Sequence, residues 1–278
     1  MLVKARRTEL DALGARLGTP VVYLKAAWSD PVLYGGHGQR RGADLDVLVD
    51  PCRFDAFVEA LIDQRWRLYS ERRHRVSIAA SRARTLYPPG AGLALDLHRA
   101  LSDPPWNVID TRGLLQRARA WPGCDGPILS LSPEDQVVHA VAHAVANAFA
   151  IDQRHPGDIV AMAQTVPIDW PATLDRLAAA GLRLGYELLA SWWRAHGLDA
   201  PIAPWAGRSE LRARLAMARQ FITTGHTLDR VRLSPRTEML VLRPLLADDP
   251  TALARFVAMR GRFQLFDRLA LLGESKLG

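Results

Sequence analysis

Two aspartates one residue apart open an apolar run, and this stretch restricts the possible fold more than any other. Asp44 and Asp46 lead into a Val- and Leu-rich run that stops at Asp50 and Pro51. Such a run predicts a strand that is buried on both faces of a sheet. Because side chains two residues apart on a strand point to the same side, both carboxylates are expected on one face, at the exposed end of the strand.

A pair of carboxylates this close together calls for a cation. Two ionised groups a few ångströms apart repel each other unless a positive charge lies between them. Hard oxygen ligands suit Mg²⁺ or Mn²⁺, and Mg²⁺ is often shared between carboxylates and substrate phosphates. The same two aspartates also fit a strand whose first polar residues only face solvent, so the pair alone does not choose between these interpretations.

Two further segments supply groups that phosphate chemistry needs. Residues 21–28 are predicted to form a short apolar strand that ends in a lone lysine, Lys25, which can meet phosphate oxygens as a point charge. Residues 93–98 alternate between apolar and polar side chains, which predicts a half-buried strand with Asp96 and His98 on one face. Asp96 is therefore the candidate for a third carboxylate.

Together these motifs resemble the bacterial type 5 nucleotidyltransferases of the DNA polymerase β superfamily. The resemblance covers roughly the first 160 residues, and the order and spacing of its motifs are more specific than any single one. The matching residues are Leu24-Lys25, Leu33-Tyr34, residues 41–49, residues 95–98, and Leu131-Ser132-Pro133-Glu134-Asp135 with His139 and His143.

The resemblance implies an α+β fold, in which a nucleotidyltransferase-like mixed sheet flanked by helices is followed by an all-helical C-terminal region. We expect the α/β core over residues 1–130 and the helical domain over residues 131–278. The implied enzyme moves an NMP group from an NTP to a hydroxyl acceptor and releases pyrophosphate, with Mg²⁺ or Mn²⁺ as cofactor.

The resemblance also implies roles for individual residues. The expected catalytic and metal-binding residues are Asp44, Asp46 and Asp96, and the expected nucleotide-binding residues are Lys25, Ala26, Arg40, Arg41 and His98. Ala26 stands where the family has a glycine that lets the backbone approach the triphosphate. Either of the two arginines is expected to hold the β and γ phosphates, and the sequence does not choose between them.

Two other functions remain open from the sequence. The same fold can pass a phosphoryl group instead of a nucleotidyl group if a different phosphorus faces the acceptor. Alternatively, the chain is a non-catalytic module that binds an anionic partner through residues 65–84, which hold seven arginines and one acid, Glu71. The resemblance leaves the acceptor open as a protein or peptide, a tRNA or a small molecule.

Composition adds modest constraints. The net charge is +7, but only three of the 36 basic residues are lysines, so genomic base composition accounts for part of this excess. Two cysteines make neither a disulfide framework nor a zinc site, and no apolar run reaches membrane-spanning length. These features predict a cytoplasmic protein that contacts no membrane. The resemblance implies a bacterial origin, and we expect a monomer or a weak dimer.

The second half of the chain shows helical periodicity, with helices expected over residues 171–180, 182–196, 210–222 and 250–272. Ser132 is the expected cap of the first helix of this half, and Asp158 is expected to cap another. His139 and His143 lie four residues apart on one helical face. No third ligand has convincing spacing, which disfavours zinc and favours packing at the junction of the two halves.

Overall fold

The computed structural model describes residues 2–36, 38, 40, 42, 44–69, 82–90, 92–101, 107–147, 154–206 and 248. Within these residues the strands form one seven-stranded mixed sheet with the order β3-β4-β5-β2-β1-β7-β6. The strands are β1 (Val22–Tyr23), β2 (Asp44–Leu48), β3 (Arg67–Leu68), β4 (Ala83–Tyr87), β5 (Ala94–His98), β6 (Arg119–Gly123) and β7 (Gly126–Ser130).

Strand β2, which carries the two aspartates, lies in the middle of the sheet. It pairs in parallel with β5 and antiparallel with β1, and the parallel register sets Asp46 directly beside Asp96. Four of its five residues are buried, in agreement with the predicted apolar strand. One detail of the prediction is wrong: Asp46 was expected at an exposed end, but it is only 3% exposed because side chains from two other elements cover it.

Eight helices flank or follow this sheet in the residues described. They are α1 (Leu2–Leu17), α2 (Lys25–Leu33), α3 (Phe54–Asp63), α4 (Thr111–Arg117), α5 (Pro133–Ala146), α6 (Arg154–Ala163), α7 (Trp170–Ala179) and α8 (Arg183–Ala195). The expected α+β fold, with a mixed sheet followed by a helical region, is thereby confirmed up to residue 206.

The start of the helical region agrees with the cap predicted from the local sequence. Ser132 caps α5, because its hydroxyl accepts a hydrogen bond from the backbone N–H of Asp135, as predicted. Asp135 is itself buried and forms ion pairs with Arg117 and Arg176, which tie α5 to α4 and α7. Helix α6 packs on α2, so the helical region also contacts the first half of the chain.

Some predictions fall beyond the described residues. The helices expected over residues 210–222 and 250–272 lie outside them, and the division into domains at residue 130 stays a prediction. The expected helices over 171–180 and 182–196 correspond to α7 and α8. No described helix is long and apolar enough to cross a membrane. Both cysteines, Cys52 and Cys124, are free and exposed.

Candidate active site

Lys25 begins a helix and does not end a strand, contrary to the sequence prediction. Strand β1 stops at Tyr23, and α2 starts at Lys25 with a backbone φ of 46°. This left-handed conformation is costly for a residue with a side chain, and such residues cluster at functional sites. The backbone N–H of Leu24 donates to the carbonyl of Asp46 at 3.0 Å, which holds the start of α2 against β2.

Asp46 is the most enclosed acid of the site. Its Oδ1 atom accepts a hydrogen bond from Lys25 Nζ at 2.7 Å, and His98 Nε2 lies 3.1 Å from the same oxygen. Burial by itself would raise the pKa of this carboxyl, but the His98 hydrogen bond and the Lys25 charge outweigh burial and hold the pKa below its usual range. Asp46 is therefore ionised throughout the physiological pH range.

Asp44 and Asp96 complete a face of three carboxylates. Asp96 is the register partner of Asp46 on β5, and its Oδ1 accepts a hydrogen bond from Thr85 Oγ1 at 2.6 Å. Burial, followed by the negative charges of Asp46 and Asp96, raises the pKa of Asp44 to about 6. The three side chains thus create a strongly negative potential, which favours a bound cation.

The raised pKa of Asp44 gives a pH-dependent prediction about stability. The native state binds this proton more tightly than the unfolded chain, so stability falls as pH rises from about 4 to about 6 and the full cost applies above that range. Since partial exposure screens the repulsion, we expect Asp44→Asn to add about 1 kcal/mol at pH 7.5, or roughly 2–4 °C in melting temperature.

Thermal melts in EDTA, without nucleotide, measure this effect. The wild-type and Asp44→Asn proteins should melt together at pH 4 and separate as the pH rises through 6. A gap of the same size at both ends of this pH range would show that the ionisation of Asp44 is not its source.

Ala26, the residue that replaces the family glycine, lies next to Gly42. A Cβ atom built on Gly42 would come within 3.0 Å of the Ala26 Cβ atom, which is tighter than ordinary van der Waals contact. The absence of a side chain at Gly42 therefore makes room for the Ala26 methyl group. The two residues bring the start of α2 close to the segment that precedes Asp44.

Of the two candidate phosphate-binding arginines, only Arg40 lies in the described part of the chain. Its Nε atom donates to both carboxylate oxygens of Asp158, at 3.1 and 3.0 Å. Asp158 is fully buried and is the fifth residue of α6, so the prediction that it caps a helix is wrong. Arg41 lies outside the described residues, and the phosphate-binding roles of both arginines stay predictions.

Three histidines meet on the helical side of the site. His155 of α6 joins the predicted pair, with ring centroids 4.9 Å from His139 and 5.2 Å from His143. Burial, followed by the positive charge of Lys25, lowers the pKa of His143 to about 4, and the pKa values of His139 and His155 also lie well below their usual range. The cluster is therefore uncharged and lies within electrostatic reach of Lys25.

Two side chains of this region are not predicted from the sequence. His155 follows His143 by twelve residues on a separate helix, so helical spacing gives no signal for it. Thr85 directly follows the arginine-rich segment of residues 65–84, and only the pairing of β4 with β5 brings it opposite Asp96. Most of that arginine-rich segment, residues 70–81, lies outside the described part of the chain. The expected role of this segment in binding an anion stays a prediction.

No group of three His, Cys, Asp or Glu side chains in the described ranges is arranged to hold a metal ion. Mg²⁺ commonly takes only one or two carboxylates from a protein and completes its shell with phosphate oxygens and water. The carboxylates of Asp44, Asp46 and Asp96 are suitable ligands for such an ion because they share one face of the sheet. Their mutual repulsion, which contributes to the raised pKa of Asp44, would be relieved by a bound cation.

Comparison with known proteins gives one informative match. The model of a protein family described as "Uncharacterised nucleotidyltransferase" matches residues 3–195, which is most of the chain. No curated protein matches the sequence.

Two solved structures are similar to the chain at a distance. One is an antigenic nucleotidyltransferase-like protein from Paracoccidioides brasiliensis, which is 15% identical, covers 74% of this chain and 95% of its own, and has a TM-score of 0.45. The other is the antibiotic-resistance factor ANT(2'')-Ia, which is 13% identical, covers 79% of this chain and 93% of its own, and has a TM-score of 0.33. Neither is close enough to carry an argument.

Proposed function

Because the chain belongs to the family of uncharacterised nucleotidyltransferases, we propose that it transfers a nucleotidyl group from a nucleoside triphosphate to a hydroxyl acceptor and releases pyrophosphate. The observation that carries this proposal is the position of Asp46. This ionised acid lies beside Asp96 in the parallel register and binds Lys25, so acidic groups and a phosphate-binding cation meet at one point.

A divalent cation, Mg²⁺ or Mn²⁺, fits this proposal, and the carboxylates of Asp44, Asp46 and Asp96 would hold it together with phosphate oxygens of the nucleotide and water. Such an ion, when bound, neutralises charge that develops on the phosphate oxygens. The alternative interpretation, in which the first polar residues of the strand only face solvent, does not account for Asp46. This residue is buried, and it is charged in spite of the free-energy cost of burying a charge.

Residues of the chain itself bind the phosphates, position the carboxylate and accept the proton. Lys25, at the N-terminus of α2, binds phosphate oxygens through its ammonium group, and the partial positive charge of the helix N-terminus adds to this attraction. His98 hydrogen-bonds Asp46 and thereby holds the carboxylate in place. Asp96 accepts the proton of the acceptor hydroxyl. The acceptor oxygen then attacks the α-phosphorus, the bond from that phosphorus to the bridging oxygen breaks, and pyrophosphate leaves.

Calorimetric titration of the protein with ATP, CTP, GTP and UTP in the presence of Mg²⁺ tests the binding step. We expect at least one nucleotide to bind and Lys25→Ala to weaken its binding by about 10- to 100-fold, the cost of a lost hydrogen bond to a charged group. Lys4→Ala is the matched control, because Lys4 is exposed and pairs with Asp125, away from the carboxylates. Binding of none of the four nucleotides would contradict the proposal.

The mass of the modified acceptor tests the chemical step. A nucleotidyl transfer adds a nucleoside monophosphate, whereas a phosphoryl transfer on the same fold adds a phosphate alone. A product that carries only phosphate would replace the proposed reaction by the second one.

A further inference from the structure

We infer that Asp158 is a positioning residue for the active site, an inference that rests on the proposed function. From the helical region it fixes the loop between α2 and β2, the segment that links Lys25 to Asp44 along the chain.

Asp158 connects its own helix α6 to two other parts of the fold. Its carboxylate is fully buried in α6 and binds the Arg40 guanidinium in the loop. The Tyr34 hydroxyl, just past the end of α2, donates to its Oδ1 at 3.1 Å. One buried carboxylate therefore holds both the helix that begins with Lys25 and the loop that leads to Asp44.

The backbone of the same loop is held by a second acid. Asp30 of α2 accepts hydrogen bonds from the backbone N–H groups of Gly38, at 3.2 Å, and Arg40, at 3.0 Å. Asp30 thus fixes the path of the main chain, while Asp158 fixes the Arg40 side chain. Arg40 precedes Asp44 by only four residues, and each residue spans at most about 3.5 Å, so anchoring Arg40 limits how far Asp44 can move away from α6.

This arrangement matters because the site has little tolerance for displacement. Nucleotide binding requires Lys25, at the start of α2, and Asp44, at the start of β2, to keep a fixed separation. A misplacement of about 1 Å at a catalytic centre can cost about 100-fold in rate. The Arg40 Nε atom, which donates to Asp158, accordingly contributes by holding the loop in place.

The test compares Asp158→Asn with a matched buried carboxylate. Asp135→Asn is the control, because Asp135 is also buried and also pairs with arginines, Arg117 and Arg176, on elements away from the loop. Asp158→Asn loses one buried ion pair and Asp135→Asn loses two, so the control should lose at least as much stability. Assays are therefore run at a temperature at which circular dichroism shows both variants to be folded.

Two measurements are made on each variant. The first is hydrogen–deuterium exchange of peptides that cover residues 34–43, which requires no ligand. We expect faster exchange in Asp158→Asn and no change in Asp135→Asn. The second is the dissociation constant, with Mg²⁺, for the α,β-methylene analogue of whichever of the four nucleotides the wild-type protein binds most tightly. We expect Asp158→Asn to weaken binding about 10-fold, Asp135→Asn to change it less than about 2-fold, and Asp158→Glu to restore part of the affinity.

The outcomes separate this inference from the proposed function. Unchanged exchange of the loop in folded Asp158→Asn would overturn the positioning role. Equal effects of both variants on exchange and on nucleotide affinity would overturn it as well, because general destabilisation would then explain the result. If the wild-type protein binds no nucleotide but the loop of Asp158→Asn exchanges faster, the proposed function fails and the anchoring of the loop stands.

Discussion

Asp46→Asn is expected to reduce transfer by several orders of magnitude and to lower the melting temperature. The carboxylate charge is required at the reacting phosphate, where electrostatic stabilisation is usually the largest contribution to the rate. Its loss also leaves the Lys25 ammonium, which is 21% exposed, without an ionised partner. We expect a cost of about 2 kcal/mol, or roughly 4–8 °C in a chain of this size, since asparagine still accepts a hydrogen bond.

Pyrophosphate release, with an acceptor on which the wild-type protein turns over, and thermal melts at pH 7.5 measure the two effects. Asp44→Asn is the matched control: it should also abolish transfer, but its melting temperature should rise. From the sequence alone both substitutions are expected to stabilise, because only the repulsion between the acids is visible there. Turnover close to wild type in Asp46→Asn would remove this residue from the mechanism.

Asp96→Ala is expected to separate nucleotide binding from chemistry. If Asp96 accepts the proton of the acceptor hydroxyl, its removal should lower kcat by several orders of magnitude and leave the KM for the nucleotide within a few-fold. Asp44 and Asp46 remain to bind the nucleotide with its cation. A group that acts mainly in the transition state affects kcat in this way, whereas the loss of a uniform binding contact raises KM alone.

Thr85→Val provides a graded control for Asp96. It removes the 2.6 Å hydrogen bond to Asp96 Oδ1 but leaves the carboxylate, so we expect a loss of about 10-fold in kcat. Steady-state kinetics on both variants report the two parameters. A weakened nucleotide affinity with unchanged kcat in Asp96→Ala would assign Asp96 to binding, and the proposed proton acceptor would then be wrong.

Much of the fold was predictable because the governing patterns are local. The apolar run after Asp46, the alternation around Asp96 and the cap at Ser132 each lie within a few residues of the feature that they predict, and the structure has all three. Prediction failed at Lys25, where an apolar segment that looks like one strand is divided between a two-residue strand and a helix. Short apolar runs suit either structure, so tertiary packing decides between them.

The neighbours of the site residues were less predictable. Asp158 looked like a helix cap, since an acid after a loop is typical of one, but it is buried as the anchor of Arg40, which lies 118 residues earlier in the chain. His155 joins the histidine pair only because α6 packs against α5. Neither contact can be predicted from the spacing of residues along the chain.

The sequence by itself determined which chemical groups are available: a D-x-D strand, a lone lysine and a later aspartate, in an order that indicates phosphate chemistry. Only the tertiary structure decided the pKa of each acid. Asp44 and Asp46 are the same residue type two positions apart, yet the pKa of one is raised to about 6 and that of the other is lowered. The difference arises because ionisation depends on nearby charges and on access to water. Lys25 and His98, which lie 21 and 52 residues from Asp46 in the chain, place their nitrogen atoms 2.7 and 3.1 Å from an oxygen of that carboxylate.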